Sequence, residues 1–330
     1  MIRFCLSVIV SLLVATLLIV AENVATLAYF PHLDRLTTDF SVTYFKRELK
    51  MLATGSPKVI FIGDSVLWGY HLRPEETAVA LLRRQGCACV NLAFKSGNPP
   101  NDYFISELLL RAGIRPRLVV LDINQAVLNE SDDYYQSLHP SVASLSAPLL
   151  TAADRASLSV PSAGTELAQR IDKLLSSLFA VYAMRTDIRE TLSGDTAAVQ
   201  LPHLTPELFE GTYDLVPLTE SNVGVRYLEK TVELWHRSRI PVLAFLTPTN
   251  HGLLHRYIDN SHYARNVTFL EGILARRGAR VVNLDSALPS SDFLDNAHLT
   301  ISGQRRLAAI LAALVTGPRA PKVTRDFQRG

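Results

Sequence analysis

From Lys58 onward the chain alternates short unbroken apolar runs with longer stretches in which apolar residues recur every three or four positions. The runs are KVIFI (58–62), CACVNLA (87–93), RLVVLDI (117–123), PVLAFLT (241–247) and RVVNLD (280–285). They are rich in Val, Ile and Leu without polar alternation, which predicts strands buried on both faces. Between the first two, Pro74 to Gly86 predicts a helix with Val79, Leu81 and Leu82 apolar; a second is capped by Asn101 or Asp102 and stopped at Gly113. Leu228, Val232 and Trp235 mark a third helix, and Val267, Leu270 and Leu274 a fourth. Leu307, Ile310, Leu311 and Leu314 mark the closing one. Strands separated by helices predict an α/β fold, a parallel sheet covered on both faces.

Three segments depart from this rhythm. Residues 1–30 are uncharged and mostly apolar from Phe4 to Ala21, about the ~18 to 20 residues that cross hydrocarbon and longer than the ~7 to 15 of a cleaved signal's core. This predicts an uncleaved signal anchor, a transmembrane helix, with a cleavable signal peptide ending near Ala28 as the alternative. Arg3 and the α-amine precede the span, and Tyr29 and Phe30 suit its far interface, so the N-terminus is expected inside and the bulk outside. Residues 31–56 read as a connector in which Asp39 caps a short helix carrying Phe45, Leu49 and Leu52 on one face, against the membrane or the domain. Residues 57–330 form the domain. Within it, about 126–220 is roughly twice what a crossover needs and reads as a helical insertion over the sheet's active edge. There Leu167, Ile171, Leu174, Leu178 and Tyr182 share a stripe expected to face a core. The tail from Gly317 reads as a loose basic extension.

At 330 residues the chain can bury a sizeable core, so size does not constrain enzyme function. Lys and Arg number 33 against 31 for Asp and Glu, with no dense basic run and no interleaved aromatics. That balance argues against nucleic acid as a partner. Of three cysteines, Cys5 lies in the apolar N-terminal run, and Cys87 and Cys89 sit two apart on a predicted strand. They read as small apolar fillers, since neighbours at that spacing make a strained bridge and do not match a zinc site. His251 and His255 have the spacing of two ligands on a helix, yet no third ligand or Glu completes a site, so no metal is expected.

In open parallel sheets ligands bind beyond the carboxyl ends of the strands. After the first strand come Gly63, Asp64 and Ser65; after the second, Gly97; after the third, Asn124; after the fifth, Asp295 and His298. A hydroxyl at a strand-to-helix turn is exposed beside free N–H groups, which marks Ser65 as a candidate nucleophile, with a helix N-cap as the plainer role. His298 is the candidate base, and Asp295 on the same loop can fix its tautomer. Asp64 reads as a loop-holding residue. Asn250, in TPTN after the fourth strand, is a candidate substrate contact or a simple turn residue.

Gly-Asp-Ser, the later Gly, the Asn and Asp-x-x-His, in this order, resemble the four blocks of the SGNH hydrolase (GDSL-like esterase and acyltransferase) family. The resemblance covers residues 58–124 and 240–315. It implies a flavodoxin-like parallel sheet, the triad Ser65, His298 and Asp295, and an oxyanion hole from the N–H groups of Ser65 and Gly97 and the amide of Asn124, with no cofactor. The third block departs from the family's Gly-x-Asn-Asp: DINQ places Asp122 and Gln125 at the Gly and second-acid positions, and Val66 replaces Leu. The anchor and the FLTPTN and DNAHLT contexts resemble a membrane-anchored branch similar to D-alanyl transfer proteins of teichoic acid modification and alginate O-acetylation proteins.

That resemblance implies an extracytoplasmic serine esterase or O-acyltransferase on the bacterial plasma membrane, acting on an envelope polysaccharide, teichoic acid or lipid ester beside a membrane-bound O-acyltransferase. A non-catalytic accessory subunit gripping a membrane partner, and a secreted lipase, are the alternatives.

Overall fold

The computed structural model describes residues 2–29, 42–53, 58–128 except 71 and 96, 136–160 and 217–316, with scattered positions between 171 and 213. Five strands, β1 (Val59–Ile62), β2 (Cys89–Asn91), β3 (Leu118–Ile123), β4 (Val242–Leu246) and β5 (Arg280–Asn283), form one sheet in the order β2-β1-β3-β4-β5. Every pairing is parallel, with Ile60 opposite both Val90 and Val119, and Val120 opposite Leu243. The chain winds outward in one direction from β1 to β2 and in the other from β3, so the switch point lies between the ends of β1 and β3. Among the described residues the helices are α1 (Ile2–Tyr29), α2 (Val42–Ala53), α3 (Ser65–Trp68), α4 (Ala78–Arg84), α5 (Pro99–Arg111), α6 (Pro140–Ser146), α7 (Ala152–Ser157), α8 (Ala180–Ala183), α9 (Val223–Arg237), α10 (His251–Ile258), α11 (Ser261–Arg276) and α12 (Ile301–Thr316).

Successive side chains of a strand point to opposite faces, and both faces are buried. Ile60, Ile62, Val119, Leu121 and Leu246 join one core with Phe104 of α5, Trp235 of α9 and Leu270 of α11. Val59, Phe61, Val120 and Phe245 join the other with Val79 of α4 and Leu307 and Leu311 of α12. Trp235 is fully buried, and its indole N–H is satisfied by the Ser106 hydroxyl at 2.9 Å, which itself donates to Asp102 O at 2.7 Å. Cys87 and Cys89 are free thiols. Burial first, then the neighbouring Cys87, pushes Cys89 up to about 12, which suits an inert filler.

Several boundaries differ from the sequence reading. Pro74–Glu76 forms a separate 3₁₀ turn, and α4 begins only after Thr77, whose hydroxyl accepts from Ala80 N–H. Helix α5 starts after Asn98, not at Asn101 or Asp102: the Asn98 side chain accepts from Asn101 N–H, and Pro99 and Pro100 occupy positions where a missing N–H costs nothing. Strand β2 keeps only three residues of its apolar run.

Phe45 of α2 is buried in the first core, with Leu49 and Leu52 packed against it. This part of the connector therefore lies on the domain; Asp39 lies outside the described residues. Helix α1 runs 28 residues, and Leu12, Leu13, Leu17, Leu18 and Val24 are exposed. Among the described residues no helix is long and apolar enough to cross a membrane; the side chains at positions 1–9, where the predicted span begins, lie outside them.

In the insertion, a parallel bridge from Ser137 to Ser159 ties the segment carrying α6 and α7 together, and Leu138, Val142 and Leu158 extend the first core. The predicted stripe does not face a core. Ile171, Leu174 and Leu178 are exposed, and none of them joins the core filled by α5, α9 and α11. Asn23 of α1 instead donates to Leu178 O at 2.8 Å and accepts from Ala180 N–H at 2.6 Å. Leu167 and the tail from Gly317 lie outside the described residues.

Phe45→Ala removes a buried aromatic anchor and is expected to lower stability by about 3 kcal/mol or more, read as a shifted denaturant midpoint. An unshifted midpoint would mean that α2 does not pack on the domain in solution.

Candidate active site

At the end of β1 the backbone turns sharply into α3. Asp64 is the N-cap, its side chain accepting from Val66 N–H at 2.8 Å. Its own N–H donates to Asp122 Oδ1 at 3.0 Å. Both neighbouring glycines are required by space. A Cβ at Gly63 would lie 1.6 Å from Asp122 Oδ1, and one at Gly97 would lie 2.0 Å from Gly63 O. The two loops thus meet backbone to backbone, leaving Ser65 half-buried at the rim. Helix α3 is a single turn, so individual N–H groups rather than a long helix dipole act here.

Residues 293–299 form the second half. Phe293 and Leu299 bridge antiparallel, and Leu294 N–H donates to His298 O at 2.7 Å. Asp295 Oδ1 accepts from the N–H groups of Ala297 and His298, at 2.9 and 2.7 Å, while Oδ2 lies 2.6 Å from His298 Nδ1. On the far side of the ring, Nε2 lies 2.8 Å from Ser65 Oγ. With its proton on Nδ1, the imidazole offers Nε2 as acceptor to the Ser65 hydroxyl. Burial pushes the Asp295 carboxyl up, but its hydrogen bond to His298, the charge there and the two N–H donors outweigh this and hold it below its usual value. The acid therefore stays ionised beside the imidazole.

Ser65 and His298 are far apart in sequence, and Gln304 of α12 fixes their approach. Almost fully buried, it accepts from Ala78 N–H at 2.8 Å and donates to Val66 O at 3.0 Å. Asn250 steadies the other side of the loop, donating through Nδ2 to Asp295 O and through its backbone N–H to Asn296 O, both at 2.9 Å. Its Oδ1 accepts from Leu253 N–H at the start of α10. The expected substrate contact at Asn250 is accordingly replaced by a cap and tether, since the residue is buried with its polar atoms engaged.

Of the three expected oxyanion donors, Ser65 N–H has no acceptor among the described residues. Asn124 Nδ2 donates to Asp64 Oδ2 at 2.9 Å, leaving its second N–H, and Oδ1 accepts from Ala126 N–H. Gly97 differs from the expectation: its N–H donates to Phe94 O at 3.0 Å, so its role in this state is close packing rather than a free donor.

Behind these loops Asp64, Asp102, Asp122 and Asn124 line a small cavity with Gly97 and Asn98. All three carboxyls are buried, and one oxygen each of Asp102 and Asp122 lacks a partner. Burial raises all three, and the Asp64 charge adds to the rise at Asp102 and Asp122. Asp122 thus braces the nucleophile turn. Two contacts were not visible in the sequence. Tyr70 lies against the imidazole, ring centroids 4.7 Å apart, and Lys95 Nζ sits 4.6 Å from the Tyr70 centroid.

A protein-family model matches residues 218–317, a segment that holds Asp295 and His298 but not Ser65. No curated protein matches the chain. Solved structures do; one is a protein from Desulfitobacterium hafniense DCB-2 assigned to the G-D-S-L lipolytic family, 12% identical, covering 78% of this chain and 99% of its own, with a TM-score of 0.39. So loose a likeness carries neither activity nor substrate across, and the site rests on its own geometry.

A carboxyl whose folded pKa is raised binds its proton more tightly than in the unfolded chain. Stability is therefore lost as pH climbs above the ordinary carboxylate value toward the folded one. Asp102→Asn removes this titration, so its stability relative to wild type should rise between about pH 4 and pH 8, measured by denaturant unfolding at both ends. A difference that stays flat with pH would show Asp102 to be ionised in the fold.

Proposed function

We propose that this chain is a membrane-anchored extracytoplasmic serine esterase or O-acyltransferase that works through an acyl-enzyme on an ester of a cell-envelope glycan or lipid. The observation that carries the reading is the unbroken line from Asp295 Oδ2 through His298 to Ser65 Oγ, at 2.6 and 2.8 Å. A serine hydroxyl becomes a competent nucleophile only when a base accepts its proton, and here a base oriented by an ionised acid is within reach.

In the proposed reaction Ser65 Oγ bonds to the ester carbonyl carbon while its proton passes to His298 Nε2. The negative charge that develops on the carbonyl oxygen falls to the Ser65 N–H and the second N–H of Asn124. Collapse breaks the bond to the alcohol oxygen, which takes the proton from Nε2 and leaves. Water or an acceptor hydroxyl then gives its proton to His298 and attacks the acyl carbon, and Ser65 departs with that proton restored. The balance needs no cofactor.

The anchor rests on the sequence, in which the run from Phe4 to Ala21 is about the ~18 to 20 residues needed to cross hydrocarbon. That run carries no charged residue. The few charges before it favour the domain on the outer side of a bacterial plasma membrane, beside any membrane-bound O-acyltransferase that shares its polymer.

Ser65→Ala and His298→Ala are each expected to cut kcat on a short-chain ester by about a thousandfold or more, with KM little changed. Undiminished turnover in either would sink the triad. A fluorophosphonate applied to intact membranes should label one peptide, the one containing Ser65, and Asp295→Asn should slow that labelling strongly. Labelling at another serine would reassign the nucleophile.

A further inference from the structure

We infer that Lys95 and Tyr70 form an anion-reading subsite on the alcohol side of the Ser65 centre, so that the ester's alcohol portion, or the accepting alcohol, carries a carboxylate or phosphate. The inference rests on the serine chemistry proposed above and narrows its substrate class.

Three observations locate the subsite. Lys95 lies on the loop between β2 and α5, two residues before Gly97, whose backbone meets that of Gly63. Its ammonium sits over the Tyr70 ring, and the same ring packs on the His298 imidazole. One aromatic ring therefore separates a fixed positive charge from the group that must hand a proton to the departing alcohol. Because His298 Nε2 protonates that oxygen, the ring beside the imidazole borders the path of the alcohol rather than of the acyl chain.

The charge is held but not neutralised. Lys95 is half-buried and pairs with no carboxylate among the described residues. The ring face orients the ammonium through its quadrupole and leaves donors for a ligand. Asp64 and Asp122 are buried, the first taken up by Asn124 and the second by the Asp64 N–H. A partly buried cation is screened less and pairs with anions more strongly than one in open solvent. Lysine acts as a point charge, which suits carboxylate and phosphate alike.

The test uses the full-length protein in detergent and three acetates that differ in the alcohol: neutral 4-methoxyphenyl acetate, 4-acetoxybenzoate and 4-acetoxyphenyl phosphate. For each enzyme the kcat/KM of each anionic ester is divided by that of the neutral one, so intrinsic leaving-group differences cancel between variants. Lys95→Ala is expected to lower this ratio about tenfold, near the low-salt value of one desolvated charge contact. Lys95→Glu should lower it further, Lys95→Arg should keep most of it, and added salt should shrink the wild-type preference. A larger drop with phosphate than with benzoate identifies phosphate as the group read, and the reverse identifies carboxylate. A ratio unchanged in Lys95→Ala and Lys95→Glu overturns the inference, as does an equal loss on all three esters. Ser65→Ala run in parallel separates the two readings: if it still turns over, the serine chemistry itself fails, whereas its silence with an unchanged ratio removes only the subsite.

Discussion

Asp122 accepts the N–H of Asp64, and Asp64 accepts in turn from Val66 N–H and from the amide of Asn124. This chain of buried acceptors at the switch point of the sheet sets the backbone from which Ser65 projects, and the rest of the site is arranged around it. Gly63 and Gly97 are glycines because the Asp122 carboxylate and the Gly63 carbonyl fill the space their side chains would need. An apolar filling could occupy the same volume but would leave the strand-end N–H groups without acceptors, and buried donors without acceptors are costly. The arrangement carries its own cost, since three carboxyls share one dry region and cannot all be charged there cheaply. Protons retained on part of the cluster would resolve this, in line with the raised values of all three.

The two halves of the site are built on different principles. Asp295 and His298 are positioned largely by a loop that closes on itself, the N–H groups of Leu294, Ala297 and His298 finding acceptors within four residues. The Ser65 half is set by long-range contacts to β3 and α12. Gln304 joins the halves, and its substitution would be felt at the Ser65–His298 distance more than in either loop alone.

What the sequence made legible follows from the range of the interactions involved. The strands stood out because a strand buried on both faces must be apolar throughout, as VIFI and VLAFL are. Asp295 and His298 stood out because their partnership is local. The start of α5 was hidden by two prolines, which mask a helix whose cap lies just before them. The stripe at Ile171, Leu174 and Leu178 reported an apolar face but not what covers it. Tyr70 against His298, and Lys95 against Tyr70, could not be read at all, since no spacing in a single chain announces a contact between distant loops.

The Ser65–His298 contact spans 233 positions of the chain. A polypeptide made from its N-terminus presents its hydroxyl early and its imidazole almost last. Until α12 docks through Gln304, the growing chain holds only an unactivated alcohol, with no base beside it to accept its proton.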